Sequence, residues 1–256
     1  IVGYKGKIFF NKDYPDGVKK RIVDSKLINN LGWKPEIFLD IGANYGFIGS
    51  VACAKIPNLR VIAVEPSKEL IPYINENFKL NGIKDFEVLH SLCGDKNITE
   101  TSFALNPGAS LDNRVVAPDK GWANEEVSMT TIDTILKGVG QDVPVFIKID
   151  TQGFEEKVFS GAIDFLSTNK NWVVKAEFSP RFLEVQNTNP VDFLLQLCTK
   201  YEVAELPDSI PYLTHVLDDL FAFKICPENV EGFIAHLRSL NKDKLGWCDL
   251  ILRPKS

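Results

Sequence analysis

An apolar run that ends in an acid and breaks at once into closely spaced glycines does most to limit how this chain can fold. It reads Ile37-Phe38-Leu39-Asp40-Ile41-Gly42-Ala43-Asn44-Tyr45-Gly46-Phe47-Ile48-Gly49. Ile37, Phe38 and Leu39 read as the end of a buried strand, Gly42 to Gly46 as a turn that lets backbone approach a ligand, and Phe47 onward as helical spacing. Strand, glycine turn and helix in that order open an α/β unit and form a nucleotide-type pocket. Such turns also serve ordinary tight packing, so the reading depends on the residues downstream of Gly49.

After a helix carrying Ser50, Val51, Ala52 and Ala54, a second apolar strand, Leu59 to Val64, ends in Glu65-Pro66-Ser67. An acid there, roughly 20 residues past the glycines, suits a ribose diol, because one carboxylate accepts from both hydroxyls. Dinucleotides and S-adenosylmethionine share that feature, and charge separates them. A pyrophosphate needs bare backbone N–H groups, whereas S-adenosylmethionine carries an ammonium and a sulfonium that favour Asp40 before the turn. Gly42, Gly46 and Gly49 also miss the G-x-G-x-x-G spacing, since Ala43 and Asn44 stand where backbone must approach phosphate. S-adenosylmethionine is the expected cofactor and NAD its rival; a phosphate loop starting Asp-x-Gly lacks its hairpin context.

With 256 residues, 45% of them hydrophobic, the chain can fill one sizeable core. A net charge of −5 argues against a broad nucleic-acid or anionic-membrane surface. The five cysteines, at 53, 93, 198, 226 and 248, are scattered and form no C-x-x-C pair, which fits a reducing, cytoplasmic setting without a zinc cluster. No apolar run is long enough for a membrane span. The chain starts with Ile rather than Met, so it is expected to be a piece of a longer protein with other domains. Residues 1–36 read as an N-terminal cap segment and 37–256 as one domain.

Within that cap, Lys7 to Phe10 suit a strand, Tyr14-Pro15-Asp16-Gly17 a turn, and Val18, Ile22, Leu27 and Leu31 a helix. Past Glu65, an amphipathic helix carrying Leu70, Ile74, Phe78 and Leu80 stops at Asn81-Gly82. A third strand, Phe86 to Leu89, runs into His90-Ser91-Leu92-Cys93, where a loop would edge an adenine; Ser91 and Cys93 are its neighbours and His90 reads as structural. Residues 96–125 lack periodicity and read as an irregular insertion, either selecting the acceptor or lying on the surface. Glu126 to Thr130 alternate as a strand and Thr131 to Leu136 turn helical.

The strand Val143 to Asp150 puts Lys148 and Asp150 on one side. A lysine in so apolar a strand needs a partner or a task, because an unpaired buried ammonium is costly. Asp150 has two readings, a catalytic group or a cap for the helix that begins near Glu155. Trp172 to Phe178 form a further strand, with Lys175 and Glu177 sharing a face. Asp40, Glu65, Asp150 and Glu177 thus all stand at carboxyl ends of strands and are expected to meet at one crevice. A helix with Phe193 and Leu197 precedes the strand Tyr201 to Val203; after a loop containing His215, 220–225 reads as its antiparallel partner. A helix over 230–240 and an apolar tail close the chain.

Three blocks carry a family resemblance: Leu39 to Gly46, Val64-Glu65-Pro66, and Ile147-Lys148-Ile149-Asp150-Thr151-Gln152-Gly153-Phe154-Glu155 with Val158 and Gly161-Ala162. In these the chain resembles the FkbM-type S-adenosylmethionine-dependent O-methyltransferases over about residues 37–225. The resemblance implies a Rossmann-like class I methyltransferase fold, with a seven-stranded, mostly parallel sheet and an antiparallel last strand, and an acceptor hydroxyl on a sugar, polyketide or related metabolite. Position by position, it implies that Asp40, Gly42, Asn44 and Gly46 contact the methionine and ribose parts. Glu65, flanked by Pro66 and Ser67, would hold the ribose hydroxyls, and Tyr45 or Phe47 would face the sulfonium.

Methyl transfer requires in-line positioning, an effect that contributes about 7–11 kcal/mol in well-oriented reactions. A sugar hydroxyl is barely ionised at neutral pH, so a base or a metal must help. Asp150 or Glu177 is the expected base, with His215 as an outside candidate and Lys148 pairing an acid or polarising the hydroxyl. Alternatively Asp150 and Glu177 would hold Mg²⁺ or Mn²⁺. Lys148, Asp150, Lys175 and Glu177 also resemble the tetrad of ribose 2′-O-methyltransferases, though the acidic charge weighs against RNA. The expectation is an S-adenosylmethionine-dependent O-methyltransferase acting on a hydroxyl of a sugar or glycan. The alternatives are another small metabolite or RNA ribose as acceptor, a non-catalytic cofactor-binding interaction module, and a nicotinamide dehydrogenase.

Overall fold

Two of the apolar runs are buried at every position, which is what strands covered on both faces require. They are β1 (Ile37–Ile41) and β7 (Val145–Ile149), neighbours at the centre of the sheet. The computed structural model describes residues 33–53, 56–108, 110–117, 121–206, 217–222, 224–240 and 246–255. In chain order, β1 is followed by α1 (Phe47–Cys53), β2 (Arg60–Glu65), α2 (Ile71–Leu80), β3 (Phe86–His90) and β4 (Leu92–Cys93). Next come β5 (Ile98–Leu105), β6 (Ala123–Thr130), α3 (Ile132–Ile135), β7, α4 (Glu155–Ser160), α5 (Ile163–Thr168) and β8 (Trp172–Phe178). The chain continues through α6 (Pro180–Val185), α7 (Pro190–Lys200), β9 (Tyr201–Leu206), α8 (Leu217–Leu220), α9 (Val230–Ser239) and β10 (Cys248–Pro254).

Among the described residues seven strands form one sheet in the order β3-β2-β1-β7-β8-β10-β9. Neighbours pair in parallel except β10, which runs antiparallel to both β8 and β9. This is the expected mostly parallel sheet with an antiparallel last strand. Period two sends alternate side chains to two cores. Leu39, Ile41, Ile147 and Val174 face α4, α5 and α7, while Phe38, Val61, Phe146 and Val173 face the α1 and α2 side. Register sets charged residues side by side as well: Asp40 pairs with Lys148, Lys148 with Lys175, and Glu177 with Asp249.

Two expectations are corrected. Residues 96–125 are not irregular throughout, because β5 pairs antiparallel with β6, and with β4 they make a second, three-stranded sheet. Its sequence, Ile-Thr-Glu-Thr-Ser-Phe-Ala-Leu, is half-exposed or exposed until Phe103, so no apolar alternation announces it. Residues 220–225 are not the strand beside β9. There α8 gives way to a turn and a single bridge, Ala204 to Lys224, and the place is taken by the tail, whose Leu250, Ile251 and Leu252 are fully buried. An apolar triplet covered on both faces belongs inside a sheet. The cap elements expected before residue 33, and His215, lie outside the described residues.

Candidate functional site

Strand order turns back between β1 and β7, since β2 continues on the far side of β1. The turns leaving two such strands diverge and open a crevice at their carboxyl ends. Gly42 opens the turn after β1 at φ +73°, and a Cβ there would lie 2.0 Å from the carbonyl oxygen of Asp150. Glycine therefore lets the two turns touch. Above them lies a cavity of about 520 Å³, counting its part open to solvent, within the range of small-molecule sites. The first turn contributes Gly42 and Asn44, the end of β2 Glu65 and Pro66, and the β3–β4 junction Ser91, Leu92 and Cys93. Asp150, Thr151, Gln152 and Phe154 line it from the end of β7, and Phe103, Ser110 and Val115 from the β5–β6 insertion.

Glu65 is buried and fixed at both oxygens: Oε2 accepts from the Asn44 N–H at 2.8 Å and Oε1 from the Ser67 N–H at 2.9 Å. Ser67 thus positions Glu65 rather than lining the cavity. Lys148 answers the need for a partner. Its ammonium donates to the Gly42 carbonyl at 2.7 Å and lies 3.3 Å from Asp40 Oδ1 and 3.5 Å from Asp150 Oδ2. Burial of such a charge is tolerated because it is paired and hydrogen-bonded. Asp40 sits beneath the turn, fully buried and outside the cavity lining, with its charge opposed by Lys148. The negative charge that reaches the cavity comes instead from Glu65 and Asp150.

Asp150 Oδ1 accepts from Gln152 Nε2 at 2.9 Å, and the same amide donates to Glu177 Oε2 at 3.1 Å. Gln152 reaches both from a left-handed conformation, φ +56°. Burial, and then the carboxylates of Asp150, Glu155 and Asp249, push the Glu177 carboxyl well above the usual range, with Lys175 opposing. Burial also raises Glu155, against the donors that hold it: the Thr151 N–H and hydroxyl, both at 2.9 Å, and the Gly153 N–H at 3.2 Å. Glu155 therefore fastens the turn, while the N-cap of α4 is Phe154, with no side-chain cap. The capping role open to Asp150 is not the one it takes.

Other candidates either lie outside the cavity or play a structural part in its wall. Tyr45 packs edge-on against Tyr73, ring centroids 5.3 Å apart, in a cluster with Phe47 and Leu70, so the expected aromatic face is not in the cavity lining. The rings that line it are Phe103 and Phe154. Gly46 makes room for Phe78 and Ile74 of α2. His90 is structural, its Nε2 2.9 Å from the Pro66 carbonyl. Ser91 bonds backbone oxygens of Leu92 and Ser128, and burial pushes the Cys93 thiol up to about 12, leaving it a neutral packing group. Lys175 pairs with Asp249 at 2.8 Å, and of the Lys148, Asp150, Lys175 and Glu177 set only Asp150 lines the cavity.

The carboxylates considered for Mg²⁺ or Mn²⁺ do not fit a metal. Asp150 is turned to an ammonium and an amide N–H, and among the described residues no group of three or more His, Cys, Asp or Glu is arranged to hold an ion. The pocket does fit a nucleoside that carries positive charge: two fixed carboxylates, an apolar wall, and two polar atoms, Asn44 Oδ1 and Ser110 Oγ, buried without a hydrogen bond among the described residues. The insertion that brings Ser110 is pinned down. Gln186 Nε2 donates to the Val116 carbonyl at 3.3 Å, and Arg114 pairs with Asp112 at 2.7 Å while lying 4.0 Å over the Phe182 ring. Sequence reasoning missed Phe103, Ser110 and Val115; the one signal was the insertion's place beside the pocket. No described helix is long and apolar enough to cross a membrane.

Comparison with known proteins gives three kinds of likeness. The profile of the methyltransferase FkbM domain matches residues 40–209. Short stretches match curated proteins named GDP-L-fucose synthase. The one from Escherichia coli (strain K12) is 40% identical over 42 residues, 16% of this chain and 13% of that protein. The one from Sinorhizobium fredii is 33% identical over 55 residues, 20% and 18%. Similar solved structures include an O-methyltransferase from Bacillus cereus in complex with SAH, with 12% identity and TM-score 0.46, covering 94% of this chain and 82% of that one. A precorrin-6y C5,15-methyltransferase from Geobacter metallireducens has 16% identity and TM-score 0.43, covering 79% and 81%. Because the profile spans about two thirds of the chain, from Asp40 through Glu65 and Asp150, this chain belongs to the methyltransferase FkbM domain family.

Proposed function

We propose that this methyltransferase uses S-adenosylmethionine to methylate a hydroxyl of a sugar, with Asp150 as the general base. The observation that carries the reading is that Gly42, Glu65, Ser91, Cys93 and Asp150, from the ends of β1, β2, β3, β4 and β7, line one cavity. When bound, S-adenosylmethionine supplies a methyl group on a positive sulfonium whose charge is lost on transfer. Glu65, held by two backbone N–H groups, offers its remaining lone pairs to the ribose hydroxyls. Leu92, Phe103 and Phe154 give the adenine an apolar wall.

Asp150 faces the cavity, oriented by Lys148 and Gln152, and takes the acceptor's proton; such general-base help is worth about 10²–10⁴-fold. Glu177 is less suited, because its raised pKa keeps it protonated at pH values where an ordinary glutamate is ionised. A sugar acceptor draws support from the curated relatives, whose name says that they make a nucleotide sugar. The remaining parts of this reading are an N-terminal segment, 1–36, ahead of one domain at 37–256, and a cytoplasmic setting. The last is supported by Cys93, Cys198 and Cys226, which form no disulfide among the described residues.

Titration calorimetry with S-adenosylhomocysteine and with NAD tests the pocket. Expected is saturable binding of S-adenosylhomocysteine only, weakened roughly ten- to hundredfold in Glu65→Ala through loss of charge-assisted hydrogen bonds. Binding of NAD alone, or of neither, overturns the donor assignment. Mass spectrometry of GDP-L-fucose and other nucleotide sugars after incubation with S-adenosylmethionine tests the acceptor class. A sugar one methyl heavier supports it, and methylation only of non-sugar acceptors refutes it.

A further inference from the structure

Asn44 and Ser110 come from different parts of the chain, the glycine turn and the β5–β6 insertion, and both line the cavity. Asn44 is 5% exposed, and its Nδ2 donates to the Ser110 carbonyl at 3.4 Å, so the two are neighbours. Each keeps one buried polar atom, Asn44 Oδ1 and Ser110 Oγ, without a hydrogen-bond partner among the described residues. An unmet buried polar atom costs about 1–3 kcal/mol, so two side by side at a cavity wall call for a third party.

The chemistry of the pair narrows that party. Asn44 Oδ1 only accepts, whereas the serine hydroxyl both donates and accepts. Beside them Glu65 Oε2 is anchored to the Asn44 N–H at 2.8 Å, which adds a second acceptor group and a negative charge. A phosphate has no proton to offer this arrangement and is repelled by it. A hydroxyl donates to Asn44 Oδ1 and accepts from Ser110 Oγ, meeting both needs at once.

We propose that Asn44 and Ser110 form a two-point clamp on a hydroxyl of the bound ligand, which makes the insertion part of the binding site. The clamp rests on the reading that the cavity takes a nucleoside donor beside a sugar acceptor. The hydroxyl belongs to the donor's ribose or to the acceptor sugar.

Ser110→Ala and Asn44→Gly test this, glycine being chosen because Asn44 has φ +52°. In the free protein Ser110→Ala leaves thermal stability unchanged or higher, since it deletes an unmet polar group. Ligand affinity nevertheless falls roughly fivefold, the value of one hydrogen bond. Calorimetry with S-adenosylhomocysteine and with 5′-methylthioadenosine, which keeps the ribose and lacks the amino acid, reads the donor arm. GDP-L-fucose titrated into protein saturated with S-adenosylhomocysteine reads the acceptor arm. Weakening of both nucleosides places the clamp on the ribose, and weakening of the nucleotide sugar alone places it on the acceptor. Unchanged affinity for every probe that the wild type binds overturns the clamp. A wild type that binds no S-adenosylhomocysteine overturns the donor assignment instead.

Discussion

Replacing Gly42 by alanine strikes the point where the two functional turns meet, and its cost can be worked from geometry. At φ +73° any residue with a Cβ is in the left-handed region, at about 1–2 kcal/mol. The new Cβ would stand 2.0 Å from the Asp150 carbonyl oxygen and 3.1 Å from its carbonyl carbon, so backbone must move by about 1 Å. Overpacking that displaces backbone adds about 1–3 kcal/mol, for a total near 2–5 kcal/mol. At about 2–4 °C per kcal/mol for a domain of this size, the melting temperature falls roughly 4–20 °C. Gly82 supplies the control: its φ is +70°, yet nothing lies within 4 Å of a Cβ there, so Gly82→Ala costs the conformational part alone, about 1–2 kcal/mol. The displaced backbone in Gly42→Ala is that of Asp150, whose N–H bonds the Ile41 carbonyl at 3.2 Å, so S-adenosylhomocysteine affinity must fall as well. Differential scanning calorimetry and ligand titration of both variants decide the matter. Equal melting temperatures for the two, with undiminished affinity in Gly42→Ala, would refute the close approach of the turns.

Lys148→Met leaves Asp40 buried without its cation, and losses of that kind cost about 3–5 kcal/mol. Adding Asp40→Asn recovers part of the loss, and urea denaturation of the single and double variants measures the coupling; additive losses would sink the pairing. Glu177 carries a raised carboxyl, so above the ordinary value of 4.5 the folded chain holds a proton that the unfolded chain has released. Its contribution to stability therefore declines as pH climbs through that window. Glu177→Gln cannot ionise and keeps the oxygen that accepts from Gln152, so its stability relative to the wild type rises between about pH 5 and about pH 8. A difference flat in pH, by denaturation at both values, contradicts the carboxylate crowding.

The central sheet was legible because its physics is local. Strands buried on both faces must be apolar runs, and Ile37 to Ile41, Arg60 to Glu65, Val145 to Ile149 and Trp172 to Phe178 announce themselves in that way. Acids at the strand ends are equally visible, since charge cannot sit inside such a run without a partner. What stayed hidden is register. Period two joins Lys148 to Asp150 within one strand, but nothing in the sequence says that Asp40 will be the Cα partner of Lys148 across the sheet. For that reason Asp40 read as a ligand group, whereas pairing turned it into the support of Lys148. The edge of the sheet was illegible for a related reason: β10 reaches its place between β8 and β9 only after α9, and sequence proximity favoured 220–225.

The insertion shows the same limit from the other side. Phe103, Ser110 and Val115 have no common period, and Ser110 follows an Asn-Pro-Gly turn that in isolation means only a loop. The insertion is held in place by contacts that Ser110, Arg114 and Val116 make to residues far away in the chain, at Asn44, Phe182 and Gln186. A wall assembled in that way is free to change composition without disturbing β1 or β7, because none of its contacts is a ladder bond of the seven-stranded sheet. The strand ends carry groups with fixed chemical tasks, a carboxylate on backbone N–H donors and a carboxylate on a buried ammonium, and their spacing is dictated by the sheet. Shape and polarity on the insertion side rest on the separate three-stranded sheet, its own small apolar cluster and three pins, apart from the seven-stranded sheet. Selectivity among acceptors is therefore expected to follow substitutions at Phe103, Ser110 and Val115 more closely than substitutions around Asp40. Comparing nucleotide-sugar affinities of Val115→Ala and Asp40→Asn at matched stability tests that ordering, and an equal change of preference in both would refute it.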